Sequence, residues 1–137
     1  MKKRGFGVGK WNGPGGKMDI SMGDKNILDT AIRETEEEIG IKPKNLEEIG
    51  VLNFRFPHKE EWNQDVHVFM VKDWDGEPKE SEEMLPQWFS FDNIPFRKMW
   101  KDDNHWLLSV LGGKKIKKGE FIFGEDDDIK DYNIEFC

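Results

Sequence analysis

The stretch from Asn26 to Ile39 constrains this chain most, because it is helical by period and closed at both ends. Ile27, Leu28, Ala31, Ile32, Thr35 and Ile39 cluster on one face at about 100° per residue, the mark of an amphipathic helix. Asp24 or Asn26 can cap its start, Gly40 suits a left-handed stop, and Pro43 forbids continuation. A helix bounded this way must lay its apolar stripe against something, and the remaining sequence reads mainly as strands.

Upstream, residues 5–17 are too glycine-rich for a helix and predict a short extended piece running into a tight loop. Downstream, strands are expected at Glu48–Phe56, at Val66–Val71, where Val66, Val68 and Met70 alternate with His67, Phe69 and Val71, and at Gln87–Phe91. Pro57–Asn63 and Asp73–Gly76 read as loops. A second helix should run from near Asp102 or Asp103 to Leu111 and stop at Gly112-Gly113, with Glu120–Phe123 and Ile129–Phe136 forming a hairpin around an acidic turn. The aromatic-rich segment Trp88–Trp106 is expected to be mostly core, since large aromatics supply burial first. This order predicts an α/β or α+β sandwich with a mixed sheet.

At 137 residues the chain has room for one core, so a single domain over 1–137 is expected. A formal charge of −7, from 28 acidic against 21 basic residues, argues against a surface that neutralises many phosphates of a nucleic-acid polymer. Any phosphate it binds is expected to arrive with a metal. The single Cys137 permits no internal disulfide. No membrane span or signal core is legible, which points to a cytoplasmic protein, a monomer or weak homodimer, without a membrane partner.

The chemistry concentrates on the first helix. Glu34, Glu37 and Glu38 fall at i, i+3 and i+4 beside the apolar stripe, whereas Glu36 points away. Acidic clusters on helices are ordinarily solvated faces, yet like charges at these spacings repel, and hard oxygen donors that leave waters in place suit magnesium, which also binds substrate phosphates. Arg33, one turn before Glu37, can hold a carboxylate in a fixed orientation.

Arg33-Glu34-x-x-Glu37-Glu38-x-Gly40, with Gly15-Gly16 before the helix and Ile41 after the last glycine, resembles the signature of the Nudix hydrolases. That resemblance implies an α/β/α sandwich and magnesium-dependent, or manganese-dependent, attack of water on a phosphoanhydride bond. By position, Glu34, Glu37 and Glu38 match the metal-binding and water-activating glutamates, Gly16 the loop glycine that contributes to the metal site, and Arg33 the orienting arginine. Three departures stand out within the signature. Lys25 occupies the place of a family glutamate, the stretch from Gly16 to Arg33 is a few residues longer than the pattern, and Thr35 replaces an aliphatic residue. Asp24 can stand in for the missing glutamate if the longer loop bulges.

Residues 1–13, 65–69, 82–89 and 94–103 extend the likeness to Nudix members that act on oxidised purine nucleoside triphosphates such as 8-oxo-dGTP and 2-hydroxy-dATP. The resemblance implies Asn12, Asp102 and Asp103 as base-reading residues, Trp100 as a stacking platform, Phe6, Phe54 and Met84 as apolar walls, Lys2 as a further substrate contact and Glu83 as a further metal ligand or base. Two adjacent carboxylates in a closed pocket resist ionising together, so one can keep its proton and the pair can both donate and accept. Taken alone, Asp102-Asp103 reads as a helix N-cap, Glu83 as a loop residue and His67 as one member of an alternating strand. A pocket methionine of those relatives is matched here by Gln64, and their apolar first strand is expected to be absent. The rival reading is a catalytically weak nucleotide-binding or sensing module on the same fold.

Overall fold

A computed structural model describes residues 1–137, which form two compact units: Met1–Glu47 with Val71–Lys98, and Glu48–Met70 with Met99–Cys137.

The first unit is built on α1 (Ile27–Ile39), capped by Asn26, whose side-chain oxygen accepts from the Asp29 N–H at 2.9 Å. Gly40, at φ 74°, turns the chain out of the helix, and its N–H closes on the Glu36 carbonyl at 2.9 Å. A side chain there would be strained. The chain then enters β1 (Lys42–Lys44), which pairs antiparallel with β4 (Asp73–Asp75), Pro43 opposite Trp74. Pro43 therefore lies beyond the helix, as expected, but also sits in a strand, and Asp73–Asp75, within a stretch expected as loop, supplies its partner. Three-residue strands are too short to register as an alternating pattern.

The apolar stripe of α1 is less deeply covered than its period implies. Its fully buried residues are Thr30, Thr35 and Glu38, while Leu28 remains 38 % exposed. The Thr35 hydroxyl donates back to the Ala31 carbonyl at 2.7 Å, which satisfies a polar group on the covered face.

The N-terminal segment begins with a turn rather than the expected extended piece, and no strand follows it before α1. Lys2 N–H donates to the Lys10 carbonyl at 3.0 Å and Gly9 N–H to the Lys2 carbonyl at 2.9 Å, closing a turn over residues 5–9. The same segment is tied to the 80s loop by an antiparallel bridge between Lys2 and Met84. Gln87–Phe91, predicted as a strand, forms none. Its aromatics make separate contacts instead: Trp88 lies against Trp74 with ring centres 5.7 Å apart, and Phe89 meets Trp11 edge-on at 4.9 Å. Trp88 and Phe91 are 73 % and 65 % exposed, so the expectation that Trp88–Trp106 is mostly core fails at its beginning.

The second unit is a four-stranded mixed sheet and one helix. Its strands are β2 (Glu47–Arg55), β3 (Gln64–Met70), β5 (Ile116–Phe123) and β6 (Ile129–Phe136), in the order β3-β2-β5-β6. β2 and β5 run parallel, with Asn53 opposite Glu120, whereas β5 and β6 form the expected antiparallel hairpin. The loop before β3 contains a 3-10 turn, Glu60–Trp62. α2 spans Asp103–Leu111 and stops at Gly112.

Ile49, Leu52, Phe56, Val110, Ile116, Phe121 and Phe123 make the core of this unit, with Trp100 and Trp106 packed against it. Phe121 is wholly covered, and its burial is worth roughly 1.5–3 kcal/mol over exposure. Phe56 and Phe123 stack with planes 9° apart and centres at 4.9 Å. The result is a mixed α+β architecture.

Candidate active site

Arg33 is the hub of the first unit. Its Nε and Nη2 donate to the two carboxylate oxygens of Asp24 at 3.0 and 2.9 Å, a fork that fixes the guanidinium plane. Nη1 then reaches Glu34 at 3.0 Å and Glu37 at 3.2 Å, and Nη2 also donates to the Lys17 carbonyl at 3.2 Å. Asp24, only 4 % exposed, accepts further bonds from the Asp19 N–H and the Thr30 hydroxyl, each at 3.0 Å. Hydrogen bonding to Arg33 and to the Asp19 backbone holds its carboxyl well below the usual range, and the same pairing raises Arg33. Thus Asp24, rather than Lys25, is the acid that faces the arginine. A 3-10 turn over Ile20–Met22, started by Asp19 and ended by Gly23, brings it there.

The glutamates divide by surroundings. Glu38 is 2 % exposed; burial raises its carboxyl, the charges of Glu34 and Glu83 raise it further, and Lys2 and a backbone bond from Gly15 oppose this. Burial is also the largest influence raising Glu34, with Glu37 and Glu83 adding to it and Arg33 opposing. Glu37 is solvent-facing and turned to Arg33, while Glu83 pairs with Arg4 at 2.9 Å. Glu36 is exposed, on the side expected for it. The charges of these neighbours thus bear on Glu34 and Glu38, but no three of the four glutamates converge closely enough to ligate one ion as the side chains stand.

Two observations bear on whether a hard divalent cation suits this set. Glu38 Oε2 is buried without a hydrogen-bond partner, an arrangement that costs free energy unless something positive meets it. A Cβ at Gly16 would fall on the Glu34 carboxylate, so the loop backbone lies close against that acid and a side chain there would displace it. Carboxylates beside a close-approaching backbone are the donor type that Mg²⁺ and Mn²⁺ use.

In the second unit, Asp102 and Asp103 are 3 % and 5 % exposed. Asp102 occupies the N-cap position of α2 but makes no side-chain cap bond; its Oδ2 instead accepts from the Trp106 indole N–H at 2.8 Å. Burial pushes Asp102 up to about 6, against the pull of that indole, and burial together with the charge of Asp102 pushes Asp103 up to about 8. Trp106 enters the site unforeseen, although its i+4 spacing from Asp102 on a helix was legible. Trp100 meets Phe123 edge-on at 5.8 Å, and Phe54 lies 6.0 Å from Phe121.

The other residues implied for the substrate belong to the first unit. Met84 is buried at 2 %, Phe6 is 43 % exposed, and Asn12 turns its oxygen back to the Gly13 N–H at 2.9 Å. Lys2 is half-buried beside Met84. His67 pairs with Glu48 at 3.2 Å on the sheet, in keeping with a structural place. Gln64 opens β3.

The NUDIX domain family matches residues 1–110, and the chain belongs to the Nudix hydrolases, a family dependent on divalent metal. Within it, this chain is similar to the oxidized purine nucleoside triphosphate hydrolase of Mus musculus, 44 % identical over 134 residues that cover 98 % of this chain and 83 % of that protein. The enzyme of the same name from Danio rerio is 44 % identical over 135 residues, with the same coverage. Among solved structures, the mutator MutT protein from Bacillus halodurans superposes with a TM-score of 0.80 at 29 % identity, covering 93 % of this chain and 83 % of that one. No helix is long and apolar enough to cross a membrane.

Proposed function

We propose that residues 1–137 act as one hydrolase domain that converts oxidised purine nucleoside triphosphates, 8-oxo-dGTP and 2-hydroxy-dATP among them, to the monophosphate and pyrophosphate. The observation that carries the choice of base is the Asp102–Asp103 pair: two adjacent buried carboxyls, both raised by burial, with the Trp106 indole bonded to Asp102 alone. One carboxyl of the pair keeps its proton and donates while the other accepts, so the pair can match the edge of a purine whose added oxygen changes its own donors and acceptors. Trp100 and Phe54 offer aromatic faces for stacking. Phe6 and Met84 supply apolar surface, Asn12 a further amide, and Lys2 a positive charge.

For the phosphates, Glu34, Glu37, Glu38 and Glu83, with the backbone at Gly16, would hold magnesium, or manganese in its stead. When bound, that ion polarises phosphoryl oxygens and activates water. Arg33 orients Glu34 and Glu37, and Glu38 contributes a buried oxygen with no competing bond. A net charge of −7 favours a free nucleotide arriving with its cation over a nucleic-acid polymer, and a cytoplasmic monomer or weak homodimer is in keeping with this.

The test is the ratio of kcat/KM for 8-oxo-dGTP to that for dGTP. Wild type is expected to favour the oxidised base by at least about 10-fold, since each mismatched buried polar group costs about 1–3 kcal/mol. Asp102→Asn should lower the preference by fixing which bonds can form. A ratio near one removes the oxidised-purine assignment. A catalytically weak nucleotide-binding module is the second reading, favoured by the carboxylates' failure to converge on one point, and the absence of pyrophosphate release across a nucleotide panel with Mg²⁺ would select it.

A further inference from the structure

β6 is the outermost strand of the second unit's sheet, and its middle is open to solvent. We propose that β6 is an interface at which a second copy of this chain pairs antiparallel about a two-fold axis at Tyr132. This surface is separate from the groups assigned to hydrolysis and does not depend on that reading.

An outermost strand presents a row of backbone N–H and C=O groups without ladder partners, a template for another strand. Lys130, Asp131, Asn133 and Glu135 are exposed along β6, and such charges restrict which partner and which register the edge accepts. Tyr132, 48 % exposed, is held in place by Phe121, with ring planes 9° apart, and by His105, with ring centres 4.2 Å apart. With the axis at Tyr132, the two tyrosines meet, Lys130 lies opposite Ile134 of the second copy, and Asp131 lies opposite its Asn133. No like charges then oppose one another directly. Moving the axis by one residue sets Asp131 against itself or against Glu135, which repulsion disfavours.

The hairpin that carries β6 is polarised along its length. Lys114, Lys115, Lys117 and Lys118, all exposed, crowd the start of β5. Lys114 reaches over the Phe136 ring at 5.8 Å, and the Cys137 N–H donates to the Lys115 carbonyl at 3.0 Å, so these lysines stand beside the end of β6. At the far end, roughly 25 Å away for strands of this length, Glu125, Asp126, Asp127 and Asp128 form the turn. Antiparallel pairing lays each acidic turn beside the lysines of the other copy, so both ends are complemented at once, and the two-fold closes the assembly at a dimer. A nucleic-acid strand or an anionic lipid surface would meet the lysines but be repelled by the acids of the same hairpin.

Sedimentation velocity over a range of protein concentrations should show a reversible dimer. A chain carrying Lys114→Glu, Lys115→Glu and Lys117→Glu, and another carrying Glu125→Lys, Asp126→Asn and Asp128→Lys, should each dimerise at least about 10-fold more weakly than wild type, since each sets like charges together. Mixed, the two should recover a heterodimer, because the altered lysine end of one then faces the altered turn of the other. Tyr132→Lys, which brings two ammonium groups together at the axis, should also weaken the dimer, and it carries the test if the turn variant does not fold by circular dichroism. A wild type that stays monomeric at every concentration overturns the proposal. So does a dimer indifferent to these substitutions, or a mixture of the two folded variants that recovers nothing.

Discussion

Glu36, Glu37 and Glu38 are consecutive, and the helix gives them three different surroundings. Glu36 is exposed, Glu37 reaches Arg33 at 3.2 Å, and Glu38 is covered with one oxygen unpartnered. Glu37→Gln and Glu38→Gln are therefore each expected to leave a folded protein whose turnover drops by at least about 100-fold, the scale of loss common for catalytic electrostatic groups. Circular dichroism checks the fold and pyrophosphate release the rate; wild-type activity in either variant would sink the assignment. Glu36→Gln should be almost silent in the same assay. The i, i+3, i+4 spacing sets Glu36 apart from Glu37 and Glu38, because a single helix fixes the directions of its own side chains, but the covering of Glu38 and the exposure of Glu37 come from packing. The partner of Arg33 was not legible in the same way: Asp24 is brought to it by a turn whose left-handed Gly23 and Asp19 cap are tertiary choices of a loop.

On the scale of elements, α1 owes its boundaries to local chemistry. Asn26→Ala removes the acceptor for the Asp29 N–H and is expected to cost about 1 kcal/mol in urea unfolding. α2 behaves differently, since its first residues are buried acids rather than exposed caps. A carboxyl whose folded value is raised binds its proton more tightly in the folded state than in the unfolded one. Asp103 and Asp102 then favour folding fully below about pH 4, the unfolded carboxylate value, and that contribution is lost as pH rises through about 6 and about 8. The melting temperature of wild type should fall between pH 5 and 8.5 more than that of Asp103→Asn, which has no proton to lose there. Equal pH slopes in the two proteins would show that Asp103 ionises normally.

For the molecule as a whole, the mixed sheet of the second unit depends on aromatic packing around Phe121. Phe121→Ala should destabilise by about 3–5 kcal/mol, enough to unfold an ordinary domain or nearly so, as read by thermal or urea denaturation. The exposed Tyr132 opposite it, ring centres 5.9 Å apart, should tolerate Leu with a far smaller loss.

The sequence by itself determined the two helices, their stops at Gly40 and Gly112, the hairpin of β5 and β6, and the family signature from Gly16 to Gly40, because caps, periods and turn residues act over a few positions. Tertiary structure alone decided the β1 and β4 pairing across Pro43 and Trp74, the absence of a strand at Gln87–Phe91, and the exposure of Trp88. Those outcomes turn on which distant segment is present to pair or to cover, and alternation of residue type carries no information about that. The same holds in the site. Adjacent carboxyls at Asp102 and Asp103 were plain in the sequence, but their burial and the Trp106 indole bond, which set how each holds its proton, come from the packing of α2 in its unit.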